Sequence, residues 1–191
     1  MRPAGDNSFE ALAVPHLEAI YGFARRLARN EHEAEDLLQE TYLKACKAFG
    51  TFDLREFGIK PWLLKILHNS FLNRQAREGH APRAVGNEEL DAGIGELSPV
   101  GADGQAEVDF EYVDEEVKRA LDQLQPEFRA VLLLWATMEL SYQEIAEILG
   151  VPIGTVMSRL HRARSLLSRS LSSYAVKNRW IAGGIRNSDH A

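Results

Sequence analysis

Cysteine is almost absent: Cys46 is the single thiol in 191 residues. That excludes an internal disulfide and a cysteine-rich metal site, and it fits a reducing cytoplasm. Cys46 falls near the apolar stripe of a helical segment, where a thiol reads as buried and inert rather than as a redox sensor. Long hydrophobic runs are missing too. No stretch approaches the roughly 18 unbroken apolar residues that cross a bilayer, and the opening segment lacks the basic start and apolar core of a secretory signal. There is no strand alternation, internal repeat, Gly-rich phosphate loop, nucleophile elbow or Cys/His cluster. A glutamate-rich helical chain raises the di-iron possibility, but that chemistry needs Glu-x-x-His pairs. None of the six histidines has a glutamate three residues before it. Catalysis, a metal and a cofactor are therefore not expected.

Positive charge is also in deficit, and a net charge of −6 at first opposes a nucleic-acid partner. Its distribution reverses that impression. From Glu78 to Glu116 the chain carries twelve acids and one base, Arg83, for a local −11; the remaining 21 bases and 16 acids leave +5. Two mildly basic blocks are joined by an acidic strap, and binding to a polyanion depends on local charge rather than on the chain's sum.

What is present is helical periodicity, within a hydrophobic content of 45% that is ordinary for a folded protein. Leu17, Ile20, Tyr21, Phe23, Ala24 and Leu27 recur at helical spacing, with Arg25, Arg26 and Arg29 towards the other side. A second helix is expected from about Glu31 through Phe49, its acids in the first turns where the helix dipole favours them and Gly50 as its stop. Pro61 suits the first turn of a third, Trp62 to Arg77. Periodicity then disappears from Gly79 to Gly104, where six glycines and two prolines mark a linker. It returns near Val113 with Val117, Ala120, Leu121 and Leu124, and Pro126 opens the next helix. The run Ala130 to Ala136 (AVLLLWA) is too apolar to be exposed. The expected fold is all-α: two small helical domains, 9–78 and 113–172, joined by a flexible acidic linker over 79–112 and followed by a tail over 173–191. The linker's length suggests domains able to move relative to each other. In the tail, Trp180 and Ile181 leave both docking and disorder open.

One stretch of the second domain carries a specific pattern. Ser141-Tyr-Gln-Glu144 is a capping box, in which the serine accepts from the third helical N–H and Glu144 reaches back. A short helix, Tyr142 to Leu149, points Ile145 and Leu149 inward, with Ala146 small where a second helix must approach. Gly150 permits the tight turn. The second helix, about Gly154 to Leu171, carries Thr155, Ser158, Arg159, His161, Arg162, Arg164 and Arg169 and no acid at all. This is the make-up of a helix-turn-helix whose second helix enters the major groove, where arginine pairs with guanine and other arginines hold phosphates.

Three segments together, AEDLLQETYLKACKAF (Ala34 to Phe49), KPWLLKILHNSFLNRQAR (Lys60 to Arg77) and LSYQEIAEILGVPIGTVMSRLHRAR (Leu140 to Arg164), resemble the extracytoplasmic-function, or group IV, sigma factors of the sigma-70 family. The resemblance implies that the first domain is sigma region 2, binding core RNA polymerase and the −10 promoter element, and that the second is region 4, binding the −35 element. It places Gln39 and Glu40, with Asp36 and Lys44 beside them, on the surface that docks against the clamp coiled coil of the largest polymerase subunit. Without it, those residues with Lys47 read as a solvated charged face.

The third helix interleaves Lys60, Lys65, Arg74 and Arg77 with His68, Asn69, Ser70 and Asn73, a set able to hold phosphates and an unstacked base. Asn69 and Asn73 occupy the positions that family members use to open the −10 element and capture a flipped base. Trp62 and Phe71 read as core. In region 4 the resemblance puts Ser158, His161 and Arg162 towards bases and Arg159 and Arg164 nearer phosphates; Thr155 completes the −35 DNA-binding set. Met157 departs from the lysine or arginine of many members: it either touches a thymine methyl or forgoes a phosphate contact. GTVMSRLHR is similar to the thiol-stress branch, which implies a stress response. The resemblance further implies a controlling anti-sigma factor and an acidic linker lying in a polymerase channel; composition alone reads that linker equally as a solvated tether. The alternative is a helix-turn-helix regulator that binds operators without polymerase.

Overall fold

Side-chain caps, prolines and glycines set the helix boundaries. In the computed structural model, which describes residues 8–28, 30–52, 58–79 and 115–177 with side chains to 171, all regular structure is helical. Ser8 caps α1 (Phe9–Ala13), and a 3-10 turn through Pro15 leads into α2 (Leu17–Leu27). Asn30 starts α3 (Glu31–Ala48), its side-chain oxygen accepting the Glu33 N–H at 2.8 Å. Helix α4 runs Ile59–Arg77, beginning three residues before the expected Trp62. Pro61 therefore sits inside the first turn, where its missing N–H costs no helical bond.

The apolar stripes meet. Ile20, Phe23 and Leu27 of α2, Leu37 of α3 and Leu63, Leu64 and Leu67 of α4 are all within 2% of complete burial. Each such side chain contributes about 1.5–3 kcal/mol on transfer from water. A chain of rings closes the end of this bundle. Phe9 lies edge-on to Tyr42 and Phe49, Phe49 stacks on Phe52, and Phe52 stacks on Trp62 with centroids 4.2 Å apart. Trp62 packs on the core, as expected. Tyr42 also donates its hydroxyl to the Ala13 carbonyl at 2.9 Å, tying α3 to α1.

The second half comprises α5 (Glu115–Asp122), α6 (Pro126–Thr137), α7 (Tyr142–Leu149) and α8 (Ile153–Lys177). The run beginning at Ala130 is its core: Ala130 through Leu134 are buried, beside Ile145, Ile148, Val156 and Leu160. Arg129 knots the turn before α6. Its guanidinium donates to the Asp122 carbonyl at 2.7 Å and the Leu124 carbonyl at 3.2 Å.

The halves are docked. Helix α4 packs on α7 and α2 on α6, and the buried apolar residues form one continuous cluster across both. Lys60 donates to the Met138 carbonyl at 3.0 Å, and Arg129 reaches the Arg26 carbonyl at 3.5 Å. Of the linker expected over 79–112 only Gly79 is described; of the tail expected over 173–191, residues 173–177 continue α8 instead, and those beyond 177 lie outside the described residues. Among the described residues no helix is long and apolar enough to cross a membrane.

Candidate nucleic-acid interface

The capping box is formed as its residues dictate. Ser141 Oγ accepts the Glu144 N–H at 3.3 Å, and Glu144 accepts the Ser141 N–H at 2.8 Å. Gly150 closes α7 at φ 66°, a left-handed conformation that disfavours any side chain. A Cβ there would meet nothing within 4 Å, so conformation rather than space requires the glycine. The turn aims α8. Val156, Leu160 and Ala163 are buried, leaving His161 and Arg164 exposed and Thr155, Ser158, Arg159 and Arg162 half-buried. Ser158 donates its hydroxyl to the Thr155 carbonyl at 3.1 Å, which leaves its lone pairs to accept from a base. Met157 is 43% exposed, so it belongs to this surface and not to the core.

Helix α4 is divided differently. Lys65, Asn69, Asn73 and Arg77 are exposed, and their four-residue steps lay them along one ridge. His68, Ser70 and Gln75 are buried, although the sequence groups His68 and Ser70 with the exposed set. His68 lies between the halves. Burial, and then the Arg159 guanidinium, lower its pKa from 6.5 to about 4, so the ring is neutral at pH 7. Its Nδ1 has no hydrogen-bond partner.

Arg74, grouped with this ridge by sequence, is engaged on the α3 side. It donates to Glu40 at 3.1 and 3.2 Å and lies 3.7 Å from Asp36. Lys44 bridges Glu40 at 2.6 Å and Ser70 at 2.9 Å. Burial alone raises the Glu40 pKa, but the Lys44 and Arg74 cations outweigh it and hold the carboxyl below its ordinary range. Asp36, Gln39, Glu40, Leu43, Lys44, Lys47 and Arg74 line one groove, so the expected polymerase-docking residues do share a surface. Leu43, at 62% exposed, is its apolar element, and the sequence reading missed it. A large apolar residue on the charged side of an amphipathic helix was the available signal.

Two further points differ from expectation. Cys46 is exposed, because it falls between the buried Thr41 and Ala45 row and the solvent side of α3. Trp135, which the sequence places only within an apolar run, is half-buried and carries the Arg164 guanidinium over its ring.

With this geometry, similarity to known proteins is informative. Residues 12–80 match Sigma-70 region 2 and residues 114–167 match Sigma-70 region 4. The chain is 35% identical over 177 residues to the ECF RNA polymerase sigma factor SigE of Mycolicibacterium smegmatis, covering 88% of this chain and 63% of that relative's length. It is 30% identical over 179 residues to the ECF RNA polymerase sigma factor SigW of Bacillus subtilis, covering 90% of this chain and 92% of the relative. The sigma factor RpoE of Bartonella quintana, solved with the anti-sigma factor NepR, is similar with a TM-score of 0.65 at 29% identity, covering 86% of this chain and 96% of that one. The docked four-helix half, the helix-turn-helix half and these matches converge: the chain belongs to the extracytoplasmic-function sigma factors of the sigma-70 family.

Proposed function

We propose that the chain is a dissociable initiation subunit that carries core RNA polymerase to promoters with −35 and −10 elements and supplies no bond-making chemistry itself. The single observation that carries this reading is the presence, on one chain, of three separate polar surfaces on an all-helical scaffold. The α3 groove takes the polymerase clamp, the ridge Lys65, Asn69, Asn73 and Arg77 takes the −10 element, and α8 takes the −35 element. Arg74 belongs functionally with the groove, where its ion pairs hold α4 in register with α3. The functional boundaries are region 2 over 9–78 and region 4 over 113–172.

The docking of the halves bears on how this works. Elements centred near −35 and −10 lie about 25 base pairs apart, on the order of 85 Å of duplex at 3.4 Å per pair. Two halves in direct contact cannot reach both, so engagement with polymerase and promoter requires them to separate. An anti-sigma partner, of the kind seen with the Bartonella protein, would act here by holding the docked arrangement.

The test is transcription in vitro with purified core polymerase on a library of promoter fragments. The expected result is a chain-dependent, promoter-specific transcript. A folded chain that gives none with competent core overturns the reading, and operator binding in that same experiment would make it a helix-turn-helix regulator. Within the groove, Gln39→Ala isolates docking, because Glu40 also anchors Lys44 and Arg74. Titration with core should show weaker association, and unchanged affinity removes Gln39 from the docking face.

A further inference from the structure

Helix α6 contributes one side chain to the surface of α8. The Arg164 guanidinium carbon lies over the Trp135 ring, 5.4 Å from its centroid, within the range of a cation–π contact. Trp135 packs against the core and α6 packs on α8, so the indole is part of the scaffold, whereas Arg164 is exposed. A guanidinium keeps its five donors in its own plane. The ring meets Arg164 with its π face, which takes up none of the directional N–H bonds a phosphate would accept, so the contact holds the guanidinium and leaves donors available to an anion. A long, freely rotating side chain loses entropy when it binds; one already held over a ring loses less.

The position of Arg164 decides which anion. It stands eleven residues after Ile153, the first residue of α8, or about 16 Å along the axis at 1.5 Å per residue. The major groove is about 12 Å wide, and the N-terminal residues of a recognition helix are the ones that read bases. Arg164 thus falls past the groove, at the level of the flanking backbone. Met157 and His161, exposed at helical spacing before it, complete the same flank.

We propose that Trp135 is a positioning residue for −35 recognition, its indole face presenting the guanidinium of Arg164 to a DNA phosphate at the rim of the major groove. This rests on α8 being the −35 helix.

The experiment uses the full chain bound to core polymerase and a duplex that this holoenzyme selects from random sequence, with affinity measured across a salt series. Arg164→Ala lowers the slope of log K against log salt by about 0.9, the release expected for one phosphate contact. Trp135→Leu, which keeps an apolar side chain on α6, weakens binding about threefold and lowers the slope in the same direction. Trp135→Phe retains a ring and restores both. In the Arg164→Ala background, Trp135→Leu adds nothing. Equal weakening by Trp135→Leu in both backgrounds overturns the proposal, since the indole then acts only through packing. An Arg164→Ala chain with unchanged slope overturns it as well. Failure of the wild-type holoenzyme to select any duplex is the distinct outcome that removes the −35 reading beneath it.

Discussion

Helices α4 and α8 carry similar residues and live in different surroundings. Both are long and rich in bases and hydroxyl or amide side chains, and both are proposed to meet DNA. Helix α4 is packed against α3 and α2 on one side and against α7 across the domain boundary on another. Its polar residues are consequently sorted: Ser70, His68 and Gln75 go inside, Arg74 goes to an ion pair, and the ridge Lys65, Asn69, Asn73 and Arg77 is left exposed. Helix α8 buries a single stripe, Val156, Leu160 and Ala163, and keeps most of its polar surface accessible. Similar side-chain chemistry is therefore divided between packing and surface in α4 and left almost wholly at the surface in α8. The number of faces a helix buries decides the division.

The largest expected effect breaks this contrast at its base. Leu67→Ala in α4 removes a side chain with no exposure, and the cavity costs about 2–5 kcal/mol. Leu166→Ala in α8, at 40% exposure, should change stability by less than about 0.5 kcal/mol. Urea denaturation of both variants measures the difference; similar losses would show that α8 is as enclosed as α4.

His68 gives the next effect, and its sign follows from its pKa of about 4 in the packed chain against an ordinary 6.5. Above pH 6.5 the ring is neutral in packed and unfolded chains alike, and pH has no leverage through it. As pH falls below 6.5 the unfolded chain takes the proton while the packed chain excludes it, so stability is lost. The loss is complete near pH 4 and totals roughly 3 kcal/mol. Carboxylates titrate in part of the same window, so the informative quantity is the difference between the wild-type and His68→Leu profiles. Parallel profiles would mean that the packed ring takes up a proton as readily as the unfolded one.

Arg162→Ala probes the open helix. It should weaken binding of the holoenzyme to its selected −35 duplex by about 1–3 kcal/mol and relax sequence preference there. An equal loss on scrambled duplex would instead assign Arg162 to a phosphate.

The same contrast explains what could be read from the sequence. The helix-turn-helix was legible to the residue over α7 because its signals are local: a serine and a glutamate three apart, a glycine at the turn, and one apolar stripe. The packed core from Ala130 onward was legible because nothing else accommodates such a run. The fate of His68, Ser70 and Arg74 was not, since it is set by α3, α7 and α8, which are distant in sequence. Cys46 was misplaced for a related reason. One residue of register, about 100° around a helix, separates the buried Ala45 from an exposed position. Loss of periodicity after Arg77 also suggested two halves, yet nothing in that loss reports that α4 and α2 dock on α7 and α6.

The smallest expected effect sharpens the flank of α8 that Arg164 shares. Met157 is 43% exposed, so Met157→Lys and Met157→Ala should each alter stability by less than about 0.5 kcal/mol. Their effects on DNA separate two roles. If the flank faces backbone along its whole length, Met157→Lys adds a phosphate contact and steepens the salt slope by about 0.9, while Met157→Ala changes little. If Met157 instead packs on a thymine methyl, Met157→Ala weakens only duplexes with A·T at that position, and Met157→Lys loses the same preference without a steeper slope. The first result extends the phosphate-facing flank about two turns towards the N-terminus of α8. The second confines it to Arg164 and moves Met157 into the set that reads sequence.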